Sequence, residues 1–550
     1  MSGLPFSLWA GPGEVDNPAG RVSQVWRDAM VEDPDLTDTH MVVELVLGNG
    51  RRFRLATAQL GSTNALGDAR DVAPALMEQA TITNTYDIDR GSSGARSVGV
   101  ECPASFIDPV KQISRGMPLA GFGEVSLLRD GMSWHNRRVI LRGDMAGGVS
   151  FGALRKGADQ LRWNGQPSSD NVSGELFECK LQDPRDSANV IFPPYVVDSS
   201  SWDAPHSGSV GRPYPIVYGR FTVECPRVSD SAVAPDFIAA LGHNHSIGAV
   251  YRNDVALAIG VDYTVEYSTD NDGISVTLIS ALPGSWADTD RVTAEVRPLV
   301  ATDPDPDLFD VIRDLLQRYH PAGHQIISPQ LFADAEAKVG GKRPVSLLVN
   351  TRSSLLSFIE EGLLEDYPML TMVWDGGRYG PVLTDFTAPP RIHLEVGTSL
   401  LRFRLGGRSE SPKNQAFNQF QIRYAFDNHL DDFSASVSAG PTTHTVCDAS
   451  SQAMGPRVDD VRESVTFRDP VTAGWVLDWL VAHKTLPTYY TEYGGSSSLF
   501  FLLRRGDTVQ LTDGDMKLSA ATATVEKLVY ERGFVRIGLR VWDNPLRGGL

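Results

Sequence analysis

Residues 41–60, MVVELVLGNGRRFRLATAQL, decide the fold class. MVVELVL and RFRLATAQL alternate apolar and polar side chains, and Gly48, Asn49 and Gly50 stand between them. Period-two alternation around a Gly/Asn turn predicts a β-hairpin. The pattern recurs in ARSVGVEC (95–102), AGFGEVSLLRDG (120–131), RRVILRGDM (137–145) and GELFECKLQD (174–183). Short alternating segments broken by Gly and Asp predict a barrel or a sandwich.

Further along, the texture changes. SWDAPHSGSVGRPYPIVYG (201–219) packs Gly and Pro between aromatics and reads as a connector. AVYRNDVALAIGVDYTVEYS, NDGISVTLIS and RVTAEVRPLV then read as a small β unit with Asn-Asp, Asn-Asp-Gly and Pro-Gly turns. At DPDPDLFDVIRDLLQRY (303–319) the period becomes helical. Asp305 is expected as N-cap and Pro306 in the first turn, with Leu308, Ile312, Leu315, Leu316 and Tyr319 on one face. A second helix is expected from Ser353 in SSLLSFIEEGLLEDY, then a hairpin through Gly376 and Gly377. Strands resume at Ile392, followed by a Ser/Thr/Gly-rich stretch from Ser434 to Ser451. FRDPVTAGWVLDWLVAHK (467–484) predicts an amphipathic helix opened by Asp469 and Pro470, whose Ala473, Val476, Leu477 and Leu480 pack against the last β domain, 386–550.

Composition limits the function. The chain has 550 residues, too many for one core, so three to five modules are expected. With 50 Lys and Arg against 68 Asp and Glu, the net charge of −18 disfavours a grip on nucleic acid. It does not disfavour a surface past which DNA slides without sticking. If the chain lines a DNA path, the acids expected to face it are Asp431, Asp432, Asp459 and Asp460. Cys102, Cys179, Cys225 and Cys447 are too dispersed for a zinc module and read as buried thiols. The first residues lack a basic region followed by an apolar run, and no stretch approaches the ~20 apolar residues of a spanning helix, so neither a secretory signal nor a membrane anchor is expected.

Motifs for chemistry are sparse. His243 and His245 could begin a metal site, but no third ligand stands near in sequence, and Gly242 and Ser246 suggest a solvated loop. Asp303, Asp305 and Asp307, Glu360 and Glu361, Asp431 and Asp432, and Asp459 and Asp460 form acid groups at helix starts or turns. There negative charge suits the helix dipole or solvent. Gly121-Phe122-Gly123 precedes a strand rather than the helix that a dinucleotide fingerprint needs. The Arg pairs 51–52, 137–138 and 504–505 read as making inter-subunit ion pairs or facing solvent. No catalytic, cofactor-binding or metal residue is named, and no cofactor is expected.

Four segments together resemble the tail hub, or tail-tip, proteins of long-tailed bacteriophages and related gene-transfer particles, distantly like the trimeric central hub of contractile-tail baseplates. The first is QDPRDSANVIFPP (182–194) with SSWDAPHSGSVGRPYPIVYGR (200–220). The second is AVYRNDVALAIGVDYTV with ISVTLISA. The third joins DLFDVIRDLLQRYH to SSLLSFIEEGLLEDYPMLTMVWDGGRYGPVL. The fourth runs from VTFRDPVTAGWVLDWLVAHK to LRRGDTVQLTDGDM and VEKLVYERG.

The resemblance implies a mainly β protein with a smaller α/β part: two barrel-type hub domains connected through small β and α/β modules. The expected divisions are an N-terminal arm (1–40), a first barrel-type domain (41–215), a small β module (216–300), an α/β module (301–385) and a second barrel-type domain (386–550). It implies a non-enzymatic virion protein made in the host cytoplasm, homotrimeric, ringing the DNA ejection channel with a pseudo-sixfold wall. Its partners would be the distal tail protein, the tail tube, the tape measure protein and separate receptor-binding or fibre proteins, since no long fibre-like region follows Leu550. The alternative is a tail-associated carbohydrate-binding or cell-wall-degrading enzyme, suggested by ten tryptophans and many acids.

Overall fold

The computed structural model describes backbone strands between residues 39 and 182 and, with short gaps, residues 190–542. The gaps fall at 244, 299–305, 321–322, 324–326, 376–377, 386, 407–408, 411–415, 428–431, 497–498, 500–502 and 532–533. The arm 1–38 and the turns at 48–50 and 376–377 therefore lie outside the described residues, as do Gly121-Phe122-Gly123 and Asp303, Asp305 and Asp431. The protein is mainly β, with few helices.

The opening hairpin forms as its alternation predicts. Thr39–Val46 pairs antiparallel with Arg52–Ala56, placing Val42 opposite Ala56 and Leu45 opposite Phe53. These strands continue through Arg137–Met145, Leu154–Trp163 and Leu176–Gln182 to Ser97–Pro103 in one eight-stranded sheet. Ile82–Asp87 lies elsewhere, paired with Leu518–Glu531 near the other end of the chain.

The small β unit is a sandwich. Phe221–Glu224, Val292–Pro298, His245–Arg252 and Val255–Leu257 make one sheet, and Asp236–Leu241, Ser275–Ala281 and Tyr263–Thr269 the other. Val223, Phe237, Val250, Ile279 and Val296 fill the space between. The Asn-Asp turn sits at Asn253 and Asp254, both at positive φ, which short polar side chains tolerate. The preceding connector is packed, not loose. Trp202 Nε1 donates to Tyr214 Oη (2.8 Å), which donates to Asp270 (2.7 Å), and Asp270 accepts the backbone N–H groups of Asp272 and Ile274.

The helices correct several expectations. Helix α1 is Leu308–Tyr319, capped by Asp307 and not Asp305. The Pro306 carbonyl instead accepts the Val345 N–H, so this stretch is held extended and the helix starts two residues later. Helix α2, Pro329–Val339, was not anticipated, although Ser328 caps it, Pro329 opens it and left-handed Gly340 ends it. The next helix starts at Leu355, not Ser353, because Ser353–Ser354 pairs with Ile191–Phe192. This helix, α3 (Leu355–Ser357), continues through a π turn, Phe358–Leu363, and a 3-10 turn, Leu364–Asp366. The Ser/Thr/Gly-rich stretch is ordered structure: a strand, Asp432–Ala439, and helix α4, Thr445–Met454.

Helix α5, Pro470–Lys484, has the expected start: Asp469 accepts the N–H groups of Val471 (2.8 Å) and Thr472 (2.9 Å). Ala473, Val476, Leu477 and Leu480 are buried as expected, with partners both from the 386–550 stretch and from the α/β unit before it. They share a core with Leu308, Ile312, Tyr367 and Met372 and with Ile422 of the small three-stranded sheet. That sheet places Phe420–Asp427 between Asp432–Ala439, antiparallel, and Arg462–Glu463, parallel. The closing strands form a separate curled half-barrel of His393–Glu395, Thr508–Asp513, Leu518–Glu531, Phe534–Val541, Tyr489–Ser496 and Leu401–Arg404, in that order. Helix α5 meets it at its far end, where His483 packs edge-on against Trp542 at 4.6 Å. The apolar surface of α5 nearly encircles the helix, so sequence periodicity alone could not select which sheet it would cover.

Candidate functional site

Two clefts flank the small β sandwich, and both carry hydrogen-bonded ion pairs in their walls, although His245 Nδ1 in the first is buried without a partner. The first, about 410 Å3, lies between Ile216–Tyr218 and α1. Tyr218 Oη donates to Asp314 (2.7 Å), and Arg318 pairs with the same carboxylate (2.7 Å). His245 forms the inner wall, with Nε2 on the Leu241 carbonyl at 3.2 Å. Burial, aided by the nearby Arg318 charge, lowers the basicity of His245 and keeps the ring neutral at physiological pH. Burial also pushes the Tyr319 hydroxyl up to about 12. A Tyr–Asp–Arg chain with a neutral histidine behind it joins two modules. It presents no nucleophile beside a base.

The second cleft, about 370 Å3, lies between the sandwich and the three-stranded sheet. Arg468 extends from the start of α5 over the Phe221 ring at 4.8 Å and donates to the Phe426 carbonyl. Glu295 on the opposite wall holds both Arg220 and Arg297. Burial would raise its pKa, but the two guanidinium groups outweigh that and hold it below the ordinary range. Gly248 makes this pairing possible, since a Cβ there would stand 2.4 Å from the Glu295 carboxylate. A lone glycine inside an alternating strand is the sequence signal for such a close approach, and it was passed over.

The residues singled out in sequence do not converge. His243 is exposed, with Nε2 2.6 Å from the Ser268 carbonyl, whereas His245 is buried in the first cleft. The expected solvated loop thus holds for the first histidine and fails for the second. Asp307 is consumed as a cap, accepting the N–H groups of Phe309 and Arg343. Glu360 accepts from the Tyr379 hydroxyl. Asp432 pairs with Arg423, and Asp459 lies 4.0 Å from both Arg462 and Lys484. Two of the four acids expected along a DNA path are therefore neutralised by cations of their own chain. Arg504 and Arg505, expected to face solvent or neighbours, are buried at 7% and 3% exposure. Cys225 and Cys447 are buried free thiols, as expected. The side chains of Cys102 and Cys179 lie outside the described residues.

One potential ligand group was not anticipated. His206, Asp230 and Asp288 bring ligand atoms within 4.8 Å of one another on surface loops. The buried Arg227 guanidinium stands 3.6 Å from Asp288 and already supplies positive charge there. It donates to the carbonyls of Ser229, Ser231 and Ala287, which fixes it in place. A fixed cation beside the carboxylates opposes a metal ion.

A further acid with a displaced carboxyl is Asp366, the last residue of the 3-10 turn Leu364–Asp366. Burial pushes its carboxyl up to about 6, although Thr466 (2.6 Å) and Ser464 (2.7 Å) both donate to it. This bond set ties the 3-10 turn to the segment between Arg462–Glu463 and α5.

No family model and no curated protein matches the chain. Solved structures do resemble it, among them tail proteins and a gene transfer agent virion. The virion of a native gene transfer agent particle contains a chain with 12% identity and a TM-score of 0.44, over 64% of this chain and 89% of that one. The tail protein from Neisseria meningitidis MC58 has 9% identity and a TM-score of 0.38, over 91% and 96% of the two chains. The 43 kDa tail protein of prophage MuSo2 from Shewanella oneidensis has 9% identity and a TM-score of 0.39, over 91% and 98%.

Proposed function

We propose that this chain is a structural virion protein, the central hub of a phage-type tail tip, and not an enzyme. In this reading three copies form a ring that joins the tail tube to the tip and surrounds the path of ejected DNA. The observation that carries it is the ordered set of four sequence segments, which fold consecutively as a closing connector, a β sandwich, a helical α/β unit and a helix followed by half-barrel strands. The clefts between these units support the same reading, because Asp314, Arg318, Glu295 and Arg220 in their walls are paired with groups of the same chain. Distal tail, tube, tape measure and receptor-binding proteins would be the neighbours, and the divisions near residues 40, 215, 300 and 385 would mark the units that contact them.

Particles carrying an epitope tag on this chain test the proposal by electron microscopy. Label at the tail end remote from the head, in multiples of three by mass measurement of isolated tips, is the expected result. Label along the tube or on the head would overturn it. Release of soluble fragments from peptidoglycan by the purified chain would favour the enzymatic alternative instead.

A further inference from the structure

One end of the small β sandwich turns apolar side chains outward. Val233, Val255, Ile259 and Val261 are 57%, 67%, 65% and 72% exposed. Single exposed valines are ordinary on a folded surface, but these side chains stand on joined segments. The Asp262 carbonyl accepts the Leu282 N–H (2.9 Å), the Val233 carbonyl that of Gly284 (2.9 Å), and the Ala232 carbonyl that of Trp286 (3.2 Å). Segment 282–286 therefore ties the 258–262 loop to the 231–235 loop. Val255 opens the short strand that leads into the first of these loops.

Backbone bonds hold Ile259 and Val261 in solvent. The N–H groups of Val261 (3.2 Å) and Asp262 (2.8 Å) both donate to the Ala258 carbonyl, and the Gly260 N–H donates to the Tyr263 carbonyl (2.8 Å). The Asp262 carboxylate accepts the Ala258 N–H (2.7 Å) and closes the loop from its other side. Gly260 sits between the two apolar residues at a φ of 77°, which glycine adopts without strain. A loop fixed in this way loses little freedom on contact, which lowers the entropy cost of docking. Grouped apolar side chains left in water mark a contact surface.

Charge at the same end selects what covers it. Asp230, Asp254 and Asp288 are exposed there; Asp230 and Asp288 approach each other, and Asn253 beside Asp254 bonds Asp290 (2.7 Å). Arg252 is held by Asp290, Arg227 lies beside Asp288, and Arg291 shares Glu224 with Arg212, so acids outnumber cations. Two such faces in contact would set acid against acid, and an anionic lipid surface would be repelled in the same way. The complement is an apolar centre with a basic rim. We propose that this end of the sandwich docks a separate tail subunit, one that presents apolar side chains flanked by Lys or Arg. The proposal rests on the tail reading above and adds a contact surface to it.

Photocrosslinking in assembled tails tests it, with p-benzoylphenylalanine in place of Ile259 in the full chain. The expected result is a crosslink to a different polypeptide, at a peptide with Lys or Arg beside apolar residues. Adding Asp230→Lys, or salt, should lower the yield of that crosslink. Val261→Lys should keep the wild-type thermal midpoint, because the site is exposed, yet enter tails about tenfold less or worse. Normal entry of that variant would overturn the proposal, as would a crosslink to another copy of this chain or to an acidic peptide. Sedimentation of the wild-type chain with vesicles of phosphatidylethanolamine and phosphatidylglycerol would overturn it in favour of a membrane. Tails that contain the chain but give no crosslink from position 259 refute the surface and leave the tail reading intact. Tails that lack the chain refute both.

Discussion

Replacing Asp366 with Asn is expected to stabilise the protein above pH 6. The carboxyl is displaced from 3.8 to about 6, with burial the leading cause and Glu365 adding to it. At ~1.4 kcal/mol per tenfold change in proton affinity, the ionised form costs the fold about 3 kcal/mol above pH 6. This is an upper bound, because Asp366 retains some exposed surface, and about 1 kcal/mol is the lower end. The folded state binds this proton more tightly than the unfolded chain. Its contribution is therefore fully present below pH 3.8, fades as the pH rises, and is lost above about 6. Asn keeps an oxygen to accept from Ser464 and Thr466 but carries no charge. Unfolding followed by tryptophan fluorescence suits the measurement, since Trp475 lies 6.4 Å from Tyr367, the neighbour of Asp366. The variant should exceed the wild type at about pH 7.5 and converge with it towards pH 4. A variant less stable than the wild type at both values would show that the two hydroxyl donors dominate, and would refute the reasoning.

Tyr214→Phe leaves Trp202 Nε1 and the Asp270 carboxylate without their shared partner, and a loss of about 1–3 kcal/mol in urea unfolding is expected. Gly495→Ala puts a Cβ 2.3 Å from the Leu400 carbonyl, which is fixed by the Ser496 N–H. Half-barrel stability should fall by about 1–3 kcal/mol, read as a lower thermal midpoint. Asp469→Ala removes the acceptor of two N–H groups at the start of α5 and should cost about 0.5–2 kcal/mol, whereas Asp469→Asn should recover most of it. Leu477→Asp buries an unpaired charge in the shared core at a cost of at least ~3 kcal/mol, and soluble protein with a wild-type midpoint would contradict that packing.

Local chemistry was legible in the sequence wherever it acts over a few residues. Alternation around a Gly/Asn turn set the register of the opening hairpin, and Asp469-Pro470 set the start of α5. The Asn-Asp and Asn-Asp-Gly turns marked the strands of the sandwich. Each depends on backbone geometry that a short segment imposes by itself. Other starts were decided from a distance. Asp305 and Asp307 have equal credentials as caps until Val345 takes the Pro306 carbonyl, and Ser353 is drawn into a strand by Ile191–Phe192. The same holds for the candidate sites. Histidines two residues apart separate into one exposed and one buried ring, and Asp459 acquires two cations from 3 and 25 positions along the chain. Sequence fixes which groups are available and the short-range bonds they prefer. Only the tertiary structure settles which distant group takes them, because burial and partners are properties of the assembled core.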